Sequence, residues 1–130
     1  MAEPDDKMLE KGLRIRKEVM GAAHVEARLA ASTDFMMPLQ HMISKWAYGE
    51  LWGSEDMPRK TRSMLVVAMM AALHRPNELR VHVKGALNNG CTPEEIRGVL
   101  LTVAIYAGLP ASLDAHTIAQ EVIAEYRKPE

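Results

Sequence analysis

Residues 75–90 read RPNELRVHVKGALNNG, and the reading of this stretch decides the fold. It predicts one helix with a clean start and stop. Pro76 suits the first helical position, where its missing N–H costs nothing. Gly90, after Asn88 and Asn89, supplies a left-handed stop. Glu78 and His82 are four residues apart, so their side chains are neighbours on the helix surface. Arg75 lies three residues before Glu78 and falls on the same side. A carboxylate beside an imidazole can hold one ring nitrogen and tune the other for proton transfer near neutral pH. The same spacing also fits a plain surface pair, with Glu78 placed in the first turn by the helix dipole.

Helical signals continue on both sides of this stretch. Upstream, a helix is expected over residues 58–74. Its segment MLVVAMMAAL (64–73) is apolar nearly all round, so it should be central or lie at a subunit interface. Downstream, Thr92-Pro93-Glu94-Glu95 combines a capping threonine, a proline at the first position and a glutamate three residues after the cap. That helix should run to residue 107 and stop at Gly108. Pro110 opens a last amphipathic helix to about residue 127, with Leu113, Ile118, Val122 and Ile123 expected to face inward. Near the start of the chain, residues 5–20 place Leu9, Leu13, Ile15, Val19 and Met20 as apolar positions before Gly21. A short helix over 23–31 follows. Ser32, Thr33 and Asp34 offer caps for a third helix to about residue 49; Pro38 either kinks it or marks its real start. A polar loop spans 53–57. No alternating strand pattern appears. The expectation is an all-α chain of six to seven helices.

The totals narrow the function classes. A length of 130 residues is one domain, 1–130, with room for a real core. Apolar residues make up 48% and charged residues 25%, an ordinary soluble composition. The net charge of −1 comes with scattered Lys and Arg, so no basic stripe speaks for nucleic acid. Aromatics, at 5%, are too few for base-stacking platforms. Cys91 is the single cysteine, which rules out an intramolecular disulfide, a Cys-x-x-Cys pair and a thiolate zinc cluster. His24, His41, His74 and His116 have no metal-ligand spacing, and no metal or cofactor is expected. The opening MAEPDDKMLEK is charged and does not read as a secretory signal. The longest apolar run is about half of the ~20 residues needed to span a bilayer. A cytoplasmic protein without membrane contact is expected.

Further candidate residues lie outside the central helix. Glu50 sits in WAYGELW (46–52), between Trp46 and Trp52. Aromatic surroundings desolvate a carboxylate and favour its acid form, which suits a general acid; an exposed helix-end glutamate in front of packed tryptophans is the other reading. Arg62, in RKTRSML, could clamp a substrate carboxylate through its planar fork, or be spare charge on a solvated first turn with Arg59 and Lys60. Tyr106 could offer its hydroxyl to a pocket or fill the core. Cys91 has no base beside it in sequence and is expected to be inert.

In order and spacing, these segments resemble the carboxymuconolactone decarboxylase family, within the wider group of alkylhydroperoxidase D-like proteins. The resemblance runs through GLRIRKEVMG (12–21), WAYGELW (46–52), PRKTRSML (58–65), ELRVHVKGALNNG (78–90), TPEEIRGVL (92–100) and YAGLPA (106–111). It implies an alkylhydroperoxidase D-like helical bundle that assembles as a homo-oligomer, a hexamer being expected. The peroxidase-like branch of that group uses Cys-x-x-Cys followed by a histidine. Here His82 matches the histidine while Arg75 and Glu78 hold the cysteine positions, and the assisting glutamate falls near Ser63. Thiol redox chemistry cannot run without thiols.

The reaction implied by the resemblance is loss of CO2 from 4-carboxymuconolactone, giving 3-oxoadipate enol-lactone in protocatechuate catabolism. The partner expected is therefore a small dicarboxylate lactone. His82 is the expected proton donor, oriented by Glu78 or Glu50. Arg62 is the expected carboxylate clamp with Arg75 as a second cation, and Trp52 and Tyr106 are expected pocket walls. Two other readings remain at this level: a related enzyme acting on another lactone or enol acid, and a non-catalytic helical oligomeric binding protein.

Overall fold

A computed structural model describes residues 6–127. The start of the first helix expected at residue 5, and the first residues of the charged opening, lie outside the described residues. Among those described there are seven α-helices and one π-helix, and no strand. They divide into two compact units, one ending at Met57 and the other starting at Pro58.

The first unit contains α1 (Lys7–Met20), α2 (Ala22–Ala31), α3 (Met37–Met42) and a π-helix (Ile43–Leu51) that continues directly from α3. Asp6 caps α1 by accepting a hydrogen bond from the Leu9 N–H at 3.0 Å. The same carboxylate pairs with Lys45 of the π-helix at 2.8 Å. These contacts hold the Asp6 carboxyl below the usual carboxylate range, the Lys45 hydrogen bond contributing most. Gly12 sits where α1 meets the π-helix, and a Cβ there would overlap the Ser44 carbonyl. Only a residue without a side chain lets the two backbones approach so closely.

Two expectations for this unit are corrected. The third helix does not start from caps at Ser32–Asp34: Met36 is its N-cap, without a side-chain hydrogen bond, and Pro38 stands in the first turn. Proline therefore marks the helix start rather than a kink, as its missing N–H allows. The helix also does not stay α-helical to residue 49. It widens into i→i+5 bonding, as in the Trp52 N–H to Ala47 carbonyl contact at 2.8 Å.

The second unit contains α4 (Arg59–Ala72), α5 (Pro76–Asn88), α6 (Pro93–Tyr106) and α7 (Leu109–Tyr126). Val67 and Ala71 of α4, Leu79, Val83 and Ala86 of α5, Ile96, Leu100 and Val103 of α6 and the small residues of α7 form its core. Full burial of each Val, Leu or Ile here is worth about 1.5–3 kcal/mol against exposure. Helix α6 begins with both halves of the expected capping box: Glu95 N–H donates to Thr92 Oγ1 at 3.1 Å, and Thr92 N–H to Glu95 Oε1 at 3.0 Å. Helix α5 stops as expected. Gly90 has φ 95°, and the Cys91 N–H returns to the Ala86 carbonyl. Helix α4 ends in the same hydrogen-bond pattern, with His74 at φ 56° in the place that glycine usually takes.

The apolar α4 is two-sided. Val67 and Ala71 are buried, while Leu65, Met69 and Leu73 face out. Leu113, expected to face inward, is 68% exposed. The buried stripe of α7 is instead Ala111, Ser112, Ala115, Ala119 and Val122. Small residues let α7 lie close to its neighbours, and the larger leucine is turned outward. Among the described residues no helix is long and apolar enough to cross a membrane.

Candidate active site

Helix α5 presents Glu78 and His82 from its first two turns, next to the buried positions Leu79 and Val83. The His82 Nε2 to Glu78 Oε2 distance is 4.0 Å, with the histidine side chain 14% exposed and the glutamate 45%. This exceeds hydrogen-bond length. The half-buried imidazole and the more open carboxylate are the pair that the spacing called for.

Arg62 emerges from the first turn of α4. Of the three basic residues there, Lys60 pairs with Glu95 at 3.0 Å, and Arg62 is turned inward to 6% exposure. That rejects the solvated-charge reading. A buried guanidinium is costly unless it is paired and hydrogen-bonded, and Arg is the cation best suited to planar recognition of a carboxylate. Beside it, Ser63 is 2% exposed and accepts a hydrogen bond from Asn89 Nδ2 at 3.0 Å. Sequence reasoning did not single out this link. The only signals for it were a polar residue on an apolar helix and an asparagine before the glycine stop.

Arg75 is the N-cap residue of α5. It is exposed at the α4–α5 corner, where Nη1 donates to the Leu73 carbonyl at 3.3 Å. It lines a cleft of about 240 Å³ with His74, Asp114 and apolar residues of α4, α5 and α7. A second groove of about 310 Å³ between α6 and α7 is lined by His116, Arg97 and Gln120. His116 Nδ1 there meets the Ser112 carbonyl at 2.8 Å. Neither space is lined by Glu78, His82 or Arg62. Tyr106, at the end of α6, is 88% exposed. Cys91 is buried, with Sγ 3.6 Å from the Lys60 carbonyl. Burial, with the Glu95 charge, pushes its thiol pKa up, which opposes formation of a reactive thiolate.

In the first unit, Glu50 is exposed near the end of the π-helix. Trp52 is buried and stacks on Tyr48, with ring centroids 6.0 Å apart, while Trp46 is 52% exposed. The two tryptophans thus do different things. One fills the interior and the other faces outward with Lys45 over its ring.

Known proteins narrow the chemistry. The chain is 42% identical to the 4-carboxymuconolactone decarboxylase of Acinetobacter baylyi, over 91% of this chain and 88% of that protein. It is 35% identical to a nitrosuccinic acid decarboxylase of Metarhizium robertsii, over 95% of this chain and 91% of that protein. The carboxymuconolactone decarboxylase family is matched over residues 38–121, from the start of α3 through most of α7. With the all-α architecture and the Glu78–His82 helix, the chain belongs to the carboxymuconolactone decarboxylase family.

Proposed function

We propose that this protein decarboxylates 4-carboxymuconolactone to 3-oxoadipate enol-lactone. The observation that carries this reading is the 42% identity to a 4-carboxymuconolactone decarboxylase along 91% of the chain. The reaction needs no external electron sink. The bond from the ring carbon to its carboxylate breaks and CO2 leaves. The electron pair runs through the ring double bond into the lactone carbonyl, forming an enolate. A proton then adds to the carbon beside that carbonyl. One proton is taken up for each CO2 released.

The protein must therefore hold the spectator carboxylate, stabilise the enolate oxygen and deliver the proton. Arg62 is the clamp in this reading, because it is a buried planar cation. His82 is the donor, with the Glu78 carboxylate 4.0 Å from its ring nitrogen. Glu50 is the second candidate acid, Arg75 the second cation and Tyr106 a candidate wall in this reading. Residues 1–130 act as one functional domain in the cytoplasm. The enzyme assembles as a homo-oligomer, with a hexamer as the expected form. The outward Leu101, Ile105, Tyr106, Leu109 and Leu113 of α6 and α7 support assembly, since exposed large apolar side chains gathered on neighbouring helices favour association.

The test is ultraviolet spectroscopy with freshly made 4-carboxymuconolactone. Loss of conjugation should change the absorbance, and the change should scale with enzyme. No change at high protein concentration would overturn the reading. The relative named for nitrosuccinic acid favours one alternative, decarboxylation of another small acid that carries its own electron-accepting group. Turnover of nitrosuccinate without turnover of the lactone would select it. Binding without turnover of either would select a non-catalytic protein.

A further inference from the structure

Arg16 is a charged residue on the buried stripe of α1. It lies between Ile15 and Val19 in register and is 6% exposed. Its guanidinium is not stranded there. Nη2 donates to Gln40 Oε1 at 2.8 Å and Nη1 to Ser44 Oγ at 3.1 Å. The guanidinium carbon lies 5.8 Å from the centroid of the Tyr48 ring. Gln40 and Ser44 are themselves buried. These three partners stand at positions 40, 44 and 48, four residues apart, where α3 runs into the π-helix. Residues four apart share one helix face. One guanidinium therefore touches successive turns on both sides of the change from α to π.

A π-helix of nine residues is rare, because its i→i+5 turn is disfavoured against the α form and such insertions collect at functional sites. Something outside the segment must hold it. Hydrogen bonds from a desolvated guanidinium are stronger than neutral ones, and the fork has fixed geometry. If the segment slipped back to α-helical bonding, every side chain beyond the slip would rotate about the helix axis. Tyr48 would then turn relative to Gln40 and Ser44, and the present set of contacts with the guanidinium would change.

We propose that Arg16 is a positioning residue: its buried guanidinium holds the π-helical register of Ile43–Leu51, and with it the direction in which Glu50 leaves the helix. The catalytic consequence rests on the reading of Glu50 as a working acid. Lysine cannot substitute, since an ammonium is a point charge that does not span both acceptors and the ring.

The experiment compares Arg16→Lys, Glu50→Gln and the double variant of the full chain, using turnover of 4-carboxymuconolactone and near-ultraviolet circular dichroism. The chain has two tryptophans, Trp46 and Trp52, one on the π-helix and one at its end, so the spectrum reports this segment. Arg16→Lys should keep its far-ultraviolet helicity and change its near-ultraviolet spectrum. It should lower kcat about tenfold while KM moves less than about threefold, and add little loss once Glu50→Gln is present. Should Arg16→Lys fail to fold, Ser44→Ala removes one acceptor, keeps the guanidinium and carries the same comparison. A wild-type spectrum and kcat in the variant would overturn the proposal. Losses that multiply fully in the double variant would overturn the route through Glu50. If Glu50→Gln alone keeps wild-type kcat, the reading of Glu50 fails, and the spectrum decides the register claim: a changed spectrum upholds it and an unchanged one overturns it.

Discussion

The side-chain amide of Asn89 donates to Ser63 Oγ at 3.0 Å, joining the C-cap of α5 to the second turn of α4. The residue before Ser63 is Arg62, and Asn89 ends the helix that carries His82. One hydrogen bond thus ties the root of the proposed carboxylate clamp to the helix of the proposed proton donor. Asn89→Ala leaves the buried Ser63 hydroxyl without this partner, which should destabilise the fold by about 1–2 kcal/mol. Urea unfolding measures the loss. Ser63→Ala combined with Asn89→Ala should cost less than the sum of the single variants, because both remove the same bond. Strict additivity would show that the contact contributes nothing.

The Cys91 thiol should be slow to react. Burial raises its pKa, so less thiolate is present at neutral pH than for a free cysteine. Iodoacetamide should label the folded protein far more slowly than the urea-unfolded chain, and Cys91→Ser should leave turnover almost unchanged. A large fall in kcat with Cys91→Ser, with helicity retained, would assign the thiol a role that the mechanism does not contain.

The apolar corner of α6 and α7 carries the prediction on assembly. Ile105 is 77% exposed, Tyr106 88% and Leu109 70%. Closed symmetric association is the usual way to cover such a surface. Light scattering should find the protein larger than a monomer at micromolar concentration, and Ile105→Asp should shift it towards monomer by burying a charge at the contact. A wild-type monomer would sink the reading.

Local signals made most of the second unit legible. Thr92 and Glu95 declare their capping box within four residues, and Gly90 declares its left-handed stop by itself. Glu78 and His82 were found because helical spacing alone makes them neighbours. What escaped depends on partners distant in sequence. The π-helix packs against α1, where Gly12 and Arg16 meet residues 40–48, and no short window contains both sides. Leu113 satisfies an amphipathic pattern, yet the close approach of α7 selects the alanines beside it. Arg62 looked like solvated charge among Arg59 and Lys60 until the pairing of Lys60 with Glu95 and its own burial separated them.

His82 and Arg62 are assigned different tasks, and kinetics can tell them apart. His82→Ala should remove most turnover while assembly is kept, since a positioned proton donor typically contributes about 10²–10⁴-fold in rate. His82→Gln retains polarity and some size but exchanges no proton near pH 7, so it should be nearly as impaired. Arg62→Lys keeps the charge and loses the fork, so it should raise KM more than it lowers kcat. The contrast between the two variants, with kcat and KM measured separately, is the test. Wild-type kcat in His82→Gln would make His82 a packing residue and move the search for the acid to Glu78 and Glu50. An Arg62→Lys variant that loses kcat at unchanged KM would move Arg62 from holding the spectator carboxylate to stabilising the enolate.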